Sequence, residues 1–254
     1  MSALLNYKLE GQGQPVVLIH GLFGSLGNLG LLARDLATDH TVISIDLRNH
    51  GLSFHSDTHN YADMAQDVAK LLRHLNLDPA IIIGHSMGGK VAMKLVDIAP
   101  TLVTQLVVLD IAPVAYTVNR HENVFKGLQA VLENSPTSRQ QAMSILEQHI
   151  EIDGVRQFLS KSLFKNGDKM DWRFNVTSLF KHYADIMGWQ QITPTDVPTL
   201  FVKGGDSDYL LPEHQQSVQM QFNNTKAHII ANTGHWLHAE KPLEVLRVIR
   251  KHIS

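Results

Sequence analysis

Short apolar segments rich in Val and Ile alternate with segments of helical periodicity along most of this 254-residue chain. The apolar segments predict strands at residues 15–21, 41–47, 80–85, 105–111, 199–204 and 226–232, and the helical spacing covers 28–38, 61–76, 87–99, 212–222 and 239–253. The predicted strands are apolar on both faces, which is typical of strands buried between two helical layers. The alternation therefore predicts an α/β fold with a doubly wound, mostly parallel sheet, and "YKLEG" (7–11) predicts an antiparallel edge strand.

The alternation stops between Pro113 and about Thr193. This stretch has no convincing strand pattern but has helical patterns at 119–133, 137–150, 152–164 and 175–187. A helical block inserted between two strands is expected to lie over the carboxyl edge of the sheet, where open α/β sheets bind ligands. We therefore predict a core of residues 1–112 and 194–254, with an inserted helical cap of residues 113–193.

Composition limits the partners and the compartment. The net charge of −2 gives no electrostatic reason to expect nucleic acid as a partner. The chain has no cysteine, which excludes disulfides, thiolate metal sites and a cysteine nucleophile. A cysteine-free chain is compatible with a reducing compartment, and we expect a cytoplasmic protein.

Residues 15–33 form a stretch without Asp, Glu, Lys or Arg that approaches the length of a membrane span. Four glycines and several polar residues interrupt this stretch, so it predicts a strand, a loop and a helix start, and no membrane span. The N-terminal "MSALLNYKLEG" lacks a basic region, and its apolar part is too short for a signal peptide. We therefore expect no targeting segment.

The sequence "GHSMG" (84–88) places Ser86 directly after a predicted strand and before a predicted helix. The pattern G-x-S-x-G arises by chance in about one in fifteen chains of this length, but a strand–turn–helix setting is that of a nucleophile elbow. Gly84 and Gly88 suit the close backbone approach that such a turn requires. A serine that only capped the helix would need neither glycine. The setting therefore favours Ser86 as a nucleophile.

A serine hydroxyl needs a nearby base to accept its proton. The chain has 15 histidines, and His235 lies in "NTGHWLHAEKP" (232–242), between the last predicted strand and the last predicted helix. A loop there reaches the same edge of the sheet as Ser86, and the chain order serine, acid, histidine accompanies this type of elbow. His235 is therefore the predicted base. His238 completes an H-x-x-H pair, but no third ligand has the usual spacing, so we predict no metal.

A second group of titratable residues, His50, His55, Asp57 and His59, lies in "HGLSFHSDTHN" (50–60). A metal site could use such residues, but their setting is more typical of a loop in contact with solvent. We interpret this segment as a solvated loop.

The acid that would orient the histidine has more than one candidate. Asp110 ends the strand predicted at 105–111, and Asp206 and Asp208 follow the next predicted strand. All three can lie at the carboxyl edge of the sheet. Each can also be a turn residue that binds its own backbone. The residues alone leave the choice open.

Acyl transfer also needs donors for the developing oxyanion. The backbone N–H groups of Leu22, in "LIHGLFGS" (18–25), and of Met87, after the predicted nucleophile, are expected to converge on one point. We expect His20 to be a buried, hydrogen-bonded residue and Arg48 to anchor loops through hydrogen bonds.

The motifs "HGLFGS", "DLRNHGLS", "GHSMGG" and "GHWLHAEKP" together resemble the α/β-hydrolase superfamily, in the right order across nearly the whole chain. "LDIAPV" (109–114) and "DWRFN" (171–175) narrow the resemblance to small bacterial esterases of the YbfF type. The resemblance implies hydrolysis of carboxylic esters, with acyl-CoA thioesters among the substrates. It also implies Ser86 as nucleophile and His235 as base. For the acid, this branch implies Asp110, whereas most of the superfamily implies the position of Asp208; we favour Asp110.

We therefore predict that the protein is a serine hydrolase that acts on a small-molecule ester or thioester and uses no cofactor or metal. Arg120 and Trp236 are candidate substrate-binding residues, at the start of the cap and beside His235. Two alternatives use the same fold: another reaction, such as C–C hydrolysis or perhydrolysis, and a ligand-binding protein without chemistry. The oligomeric state is not predicted.

Overall fold

The computed structural model describes residues 3–254 of the chain. Its strands are β1 (Tyr7–Glu10), β2 (Gln14–Ile19), β3 (His40–Ile45), β4 (Ala80–His85), β5 (Val103–Leu109), β6 (Leu163–Asn166), β7 (Lys169–Trp172), β8 (Thr199–Gly204) and β9 (Thr225–Ile230). Its α-helices are α1 (Gly30–Leu36), α2 (Tyr61–Leu75), α3 (Met87–Ile98), α4 (Glu122–Asn134), α5 (Arg139–Glu147), α6 (Asp153–Ser160), α7 (Val176–Lys181), α8 (Tyr183–Met187), α9 (Gln215–Gln221), α10 (Leu237–Glu240) and α11 (Pro242–Ile253). Short 3-10 helices cover Leu26–Leu29, Pro100–Leu102 and Pro212–His214.

Seven strands form one sheet in the order β1-β3-β2-β4-β5-β8-β9. Only β1 is antiparallel, to β3, so the predicted α/β fold and the predicted edge strand are both confirmed. Alternate side chains of β2 enter two cores: Val17 and Ile19 pack with α2 and α3, and Val16 and Leu18 pack with α1 and α11. Within residues 3–254, no helix is long and apolar enough to cross a membrane.

The chain between β5 and β8 forms the helices α4 to α8. Val124 of α4 and Phe158 of α6 line a cavity together with Ser86, which directly follows β4. The inserted helices therefore lie over the carboxyl edge of the sheet. We keep residues 113–193 as the proposed extent of the cap.

The expectation that the cap contains no strand is wrong. The strands β6 and β7 form an antiparallel hairpin in which Leu163 pairs with Trp172, and Gly167 takes a positive φ of 61° at its turn. Leu163 and Trp172 are both buried. Each strand has four residues, which is too short for an alternating pattern to stand out from a helical one.

Candidate active site

Ser86 lies at a sharp turn between β4 and α3. Its backbone has φ 53° and ψ −124°, a conformation that residues other than glycine rarely adopt. A Cβ on Gly84 would lie 2.2 Å from the carbonyl oxygen of Gly88, and a Cβ on Gly88 would lie 2.4 Å from that of Ile19. Only glycine fits at these two positions. The Ser86 side chain makes no capping hydrogen bond to α3, so the geometry does not support the capping alternative.

The Ser86 side chain instead forms a hydrogen bond with His235. Ser86 Oγ lies 2.8 Å from His235 Nε2, and His235 Nδ1 lies 2.7 Å from Asp110 Oδ2. Because a carboxylate can only accept, Nδ1 carries the proton, and Nε2 is free to accept the proton of the serine hydroxyl. The structure therefore brings Ser86, His235 and Asp110 into one row of hydrogen bonds.

Asp110 follows β5 and is fully buried. Its Oδ1 accepts the backbone N–H of Gly204 at 2.9 Å, and its Oδ2 accepts the hydroxyl of Ser207 as well as His235 Nδ1. These donors hold the carboxylate in the orientation that faces the histidine.

Asp208, the alternative acid, has a different environment. Its side chain is 61% exposed and forms an ion pair with Arg120. The hydrogen bond from Arg120 lowers the pKa of the Asp208 carboxyl. Asp208 therefore pairs with a cation at the mouth of the site and leaves the contact with His235 to Asp110.

The backbone N–H groups of Leu22 and Met87 both lie beside Ser86. Met87 begins α3, so its N–H has no acceptor within the helix, and Leu22 lies in a loop that lines the cavity. Among residues 3–254, neither N–H group donates one of the turn and loop hydrogen bonds of the backbone. Both groups are therefore available to a bound oxygen.

Two buried histidines hold the loop of Leu22. His20 Nδ1 donates to the carbonyl of Gly21 at 2.8 Å, and His50 Nε2 accepts the N–H of Phe23 at 3.2 Å. These bonds use the carbonyl oxygen of Gly21 and the N–H of Phe23, the residues on either side of Leu22. They do not involve the N–H of Leu22 itself. The expected burial and hydrogen bonding of His20 are thus present.

The expectation of a solvated loop at 50–60 is wrong for His50 and His59, which are both fully buried. His50 accepts a hydrogen bond from the loop of Leu22, whereas His55 and Asp57 are exposed. No group of three or more His, Cys, Asp or Glu residues within 3–254 could hold a metal ion. The spacing of these residues did not indicate which of them face the interior, because the segment has neither helical nor strand periodicity.

Two further histidines pack behind His235. His85 Nε2 donates to the backbone oxygen of His235 at 2.8 Å, and the His85 and His238 rings are 4.3 Å apart. Burial lowers the pKa of His85 well below its usual value and lowers the pKa of His238 to about 3. Both rings are therefore neutral at neutral pH and place no positive charge against the His235 ring.

The buried histidines predict a loss of stability in acid. The unfolded chain binds a proton at His238 below pH about 6.5, whereas the folded chain does so only near pH 3. The stability present above pH 6.5 is therefore lost as the pH falls, by about 2 kcal/mol for this group at pH 5. His238→Gln should show a smaller drop in unfolding free energy between about pH 7.5 and pH 5 by that amount, measured by urea denaturation.

The matched control is His55→Gln, because His55 is exposed. That variant should lose as much stability between the two pH values as the unaltered protein. An equal loss in His238→Gln would contradict the assignment of the acid sensitivity to this buried ring.

A cavity of about 210 Å³ opens onto Ser86 and His235. Its apolar wall comes from the cap residues Val124, Val155, Phe158 and Leu159. The two candidate substrate-binding residues also line it: Arg120 on the side of Asp208, and Trp236, whose ring centroid is 6.0 Å from that of Phe158. The structure thus places Arg120 and Trp236 at the cavity, with an apolar pocket between the cap and the elbow.

Two residues of "GGDSDY" (204–209) were not predicted to belong to the site, for which only the aspartates of this segment were candidates. Ser207 donates to Asp110, and the Tyr209 ring stacks on the His235 imidazole with centroids 3.9 Å apart. Arg120 lies 4.6 Å from the centroid of the same tyrosine ring. The sequence did indicate that this turn follows the carboxyl end of a predicted strand. Side chains of such a turn lie near the edge of the sheet where ligands bind, so Ser207 and Tyr209 could have been considered as well.

The chain is similar to several known proteins. The family model of the alpha/beta hydrolase fold matches residues 14–242. Esterase YbfF of Escherichia coli (strain K12) is 49% identical over 96% of this chain and 95% of its own length. The sn-1-specific diacylglycerol lipase ABHD11 of Mus musculus is 36% identical over 94% of this chain and 80% of its own length.

Among solved structures, a "Marine microorganism esterase" superposes with a TM-score of 0.93 at 33% identity. The superposition covers 99% of this chain and 100% of that one. The similarity therefore includes the cap as well as the sheet.

Proposed function

The chain belongs to the α/β-hydrolase family and is a carboxylic ester hydrolase of the YbfF type, and on that premise we propose that it acts through an acyl-enzyme formed on Ser86. His235 is the proposed base, and Asp110 is the proposed acid. The observation that carries the proposal is the row of hydrogen bonds, 2.8 Å from Ser86 Oγ to His235 Nε2 and 2.7 Å from His235 Nδ1 to Asp110. The elbow supports it, because it exposes a serine in a strained turn at the cavity.

In the first half of the reaction, Ser86 Oγ attacks the carbonyl carbon of the ester while His235 Nε2 takes the hydroxyl proton. The charge that develops on the carbonyl oxygen is held by the N–H groups of Leu22 and Met87. Asp110 stabilises the imidazolium that forms. The imidazolium then gives its proton to the leaving alcohol or thiol, which departs and leaves the acyl group on Ser86.

In the second half, a water molecule takes the position of the leaving group. His235 removes a proton from this water, whose oxygen attacks the acyl carbon, and the same two N–H groups hold the second oxyanion. Collapse of this intermediate releases the carboxylic acid and returns the proton to Ser86. No cofactor enters the proposed reaction.

The cavity suggests how a substrate lies. Its volume is about 210 Å³ and part of its wall is apolar, which suits an acyl chain. The apolar wall around Phe158 is proposed to hold that chain, with Trp236 beside it. Arg120, at the mouth, is proposed to face a polar or anionic leaving group such as that of an acyl-CoA thioester. The names of the relatives, esterase and diacylglycerol lipase, agree with an ester carbonyl as the reacting group.

A turnover assay tests this proposal against its alternatives. We expect the protein to release acid from both a short p-nitrophenyl ester and a medium-chain acyl-CoA, with one alcohol or thiol per acid. Formation of a peracid from ester and peroxide without hydrolysis of either compound, or cleavage of a diketone but of neither compound, would favour the other reactions of this fold. Binding of both compounds without turnover would favour a ligand-binding protein.

We also propose that the protein acts in the cytoplasm. The support is the absence of cysteine, which suits a reducing compartment. Fractionation of cells with an antibody to this chain tests the proposal, and recovery outside the cytoplasmic fraction would contradict it.

A further inference from the structure

Lys90 is a buried lysine on α3, four residues after Ser86. Its exposure is 1%. Burial lowers the pKa of the Lys90 ammonium to about 7, with no contribution from a neighbouring carboxylate. A buried ammonium is costly unless its surroundings replace the water that it loses.

The surroundings of Lys90 are three aromatic rings and backbone carbonyls. Nζ lies 4.7 Å from the ring centroid of Tyr116, 5.5 Å from that of Tyr61 and 5.7 Å from that of Trp189. It also donates to the carbonyl oxygen of Gly188 at 3.0 Å. The faces of aromatic rings attract a cation, and carbonyl oxygens accept its hydrogen bonds, so both fix the position of an ammonium group. An alkyl side chain would contact the same groups only by van der Waals packing.

Apart from the ring of Tyr61, which begins α2 of the core, these contacts come from the two connections between the core and the cap. Tyr116 lies in the segment that leads from β5 to α4, whereas Gly188 and Trp189 follow α8 on the way to β8. The two connections also touch each other, because the N–H of Tyr116 donates to the carbonyl of Met187 at 2.9 Å. Lys90 therefore lies where the chain enters and leaves the cap.

We propose that Lys90 is a positioning residue that ties both connections of the cap to the helix of the nucleophile and thereby sets the binding of the acyl chain. The tie matters for binding because Val124 and Phe158 of the cap line the same cavity as Ser86. An acetyl group is too short to use much of this wall, whereas a hexanoyl group needs it. This inference rests on the proposed ester hydrolysis.

The test compares p-nitrophenyl acetate with p-nitrophenyl hexanoate. At pH 6, where Lys90 is charged, Lys90→Met removes the charge and the donors. The ratio of kcat/KM for hexanoate to that for acetate should then fall at least about fivefold, through KM for hexanoate. The control Lys126→Met changes an exposed lysine of the cap and should keep the ratio. A ratio within about twofold of the unaltered protein, or a higher one, in Lys90→Met would overturn the proposal.

Thermal unfolding separates this role from a structural one. Replacing a buried charge with an apolar side chain of similar volume is often neutral or stabilising. We therefore expect the Tm of Lys90→Met to be no lower than that of the unaltered protein, while its hexanoate KM rises. A lower Tm together with an unchanged ratio would assign Lys90 to stability alone.

A second measurement needs no variant and decides the matter if Lys90→Met does not fold. The groups that face Nζ are the rings of Tyr61, Tyr116 and Trp189 and backbone carbonyls, and burial raises the pKa of both tyrosines, so only Lys90 changes charge near neutrality. The hexanoate-to-acetate ratio should fall at least about threefold from pH 6 to pH 8.5, and the titration of the base cancels in the ratio. A constant ratio would overturn the proposal, whereas a protein that hydrolyses neither ester would instead contradict the proposed function.

Discussion

Asp110→Asn should lower kcat for ester hydrolysis by about 10⁴-fold, the loss that this change causes in serine proteases. An asparagine amide can present an N–H to His235 Nδ1 and so place the imidazole proton on Nε2. In that tautomer the ring cannot take the proton of Ser86. The geometry also predicts that Asp208→Asn changes kcat by less than about threefold, because Asp208 pairs with Arg120 and not with the histidine. Steady-state kinetics on a short p-nitrophenyl ester measures both effects.

The pair of variants separates the two candidate acids. Both changes replace a carboxylate by its amide, so the size and shape of the side chain are matched. Circular dichroism and the Tm show whether each variant is folded, which matters most for Asp110, whose oxygens also accept Ser207 and Gly204. Loss of activity in Asp208→Asn with Asp110→Asn left active would move the acid to the later strand.

Ser86→Ala should lower kcat by about 10⁶-fold on an ester and on an acyl-CoA, because no other group can take the place of the nucleophile. The change removes one oxygen atom whose hydrogen bond is to His235, so the Tm should stay close to that of the unaltered protein. Ser144→Ala is the control, since Ser144 lies on α5 and bonds only its own helix. Equal turnover by Ser86→Ala and the unaltered protein would rule out this serine as the nucleophile.

The fold could be predicted from the sequence because most of its strands are apolar runs long enough to stand out between segments of helical periodicity. The runs at 41–47 and 105–111 became β3 and β5, since a strand buried on both faces must be apolar throughout. The hairpin of β6 and β7 was missed because a strand of four residues is too short to show a pattern. Leu163 and Trp172 of the hairpin are buried.

The proposal of Asp110 as the acid needed the structure, because it depends on where side chains point and not on where strands end. Asp110 and Asp208 both follow strands of the same edge. The N–H of Gly204 and the hydroxyl of Ser207 turn Asp110 toward His235, and Arg120 draws Asp208 toward solvent. None of these contacts is local in sequence. The sharp turn at Ser86, by contrast, was predictable from Gly84 and Gly88, since the close backbone approach there leaves no room for a Cβ at either position.

The central claim is that the acyl group is carried on Ser86. A p-nitrophenyl phosphonate tests it most directly, because a serine nucleophile is phosphonylated and the product resembles the tetrahedral intermediate without being readily hydrolysed. Intact mass and peptide mapping should show one phosphonyl group per chain, on Ser86, with activity lost in proportion and no adduct on Ser86→Ala. An adduct on another residue, or full activity in a protein that carries the adduct on Ser86, would contradict the account.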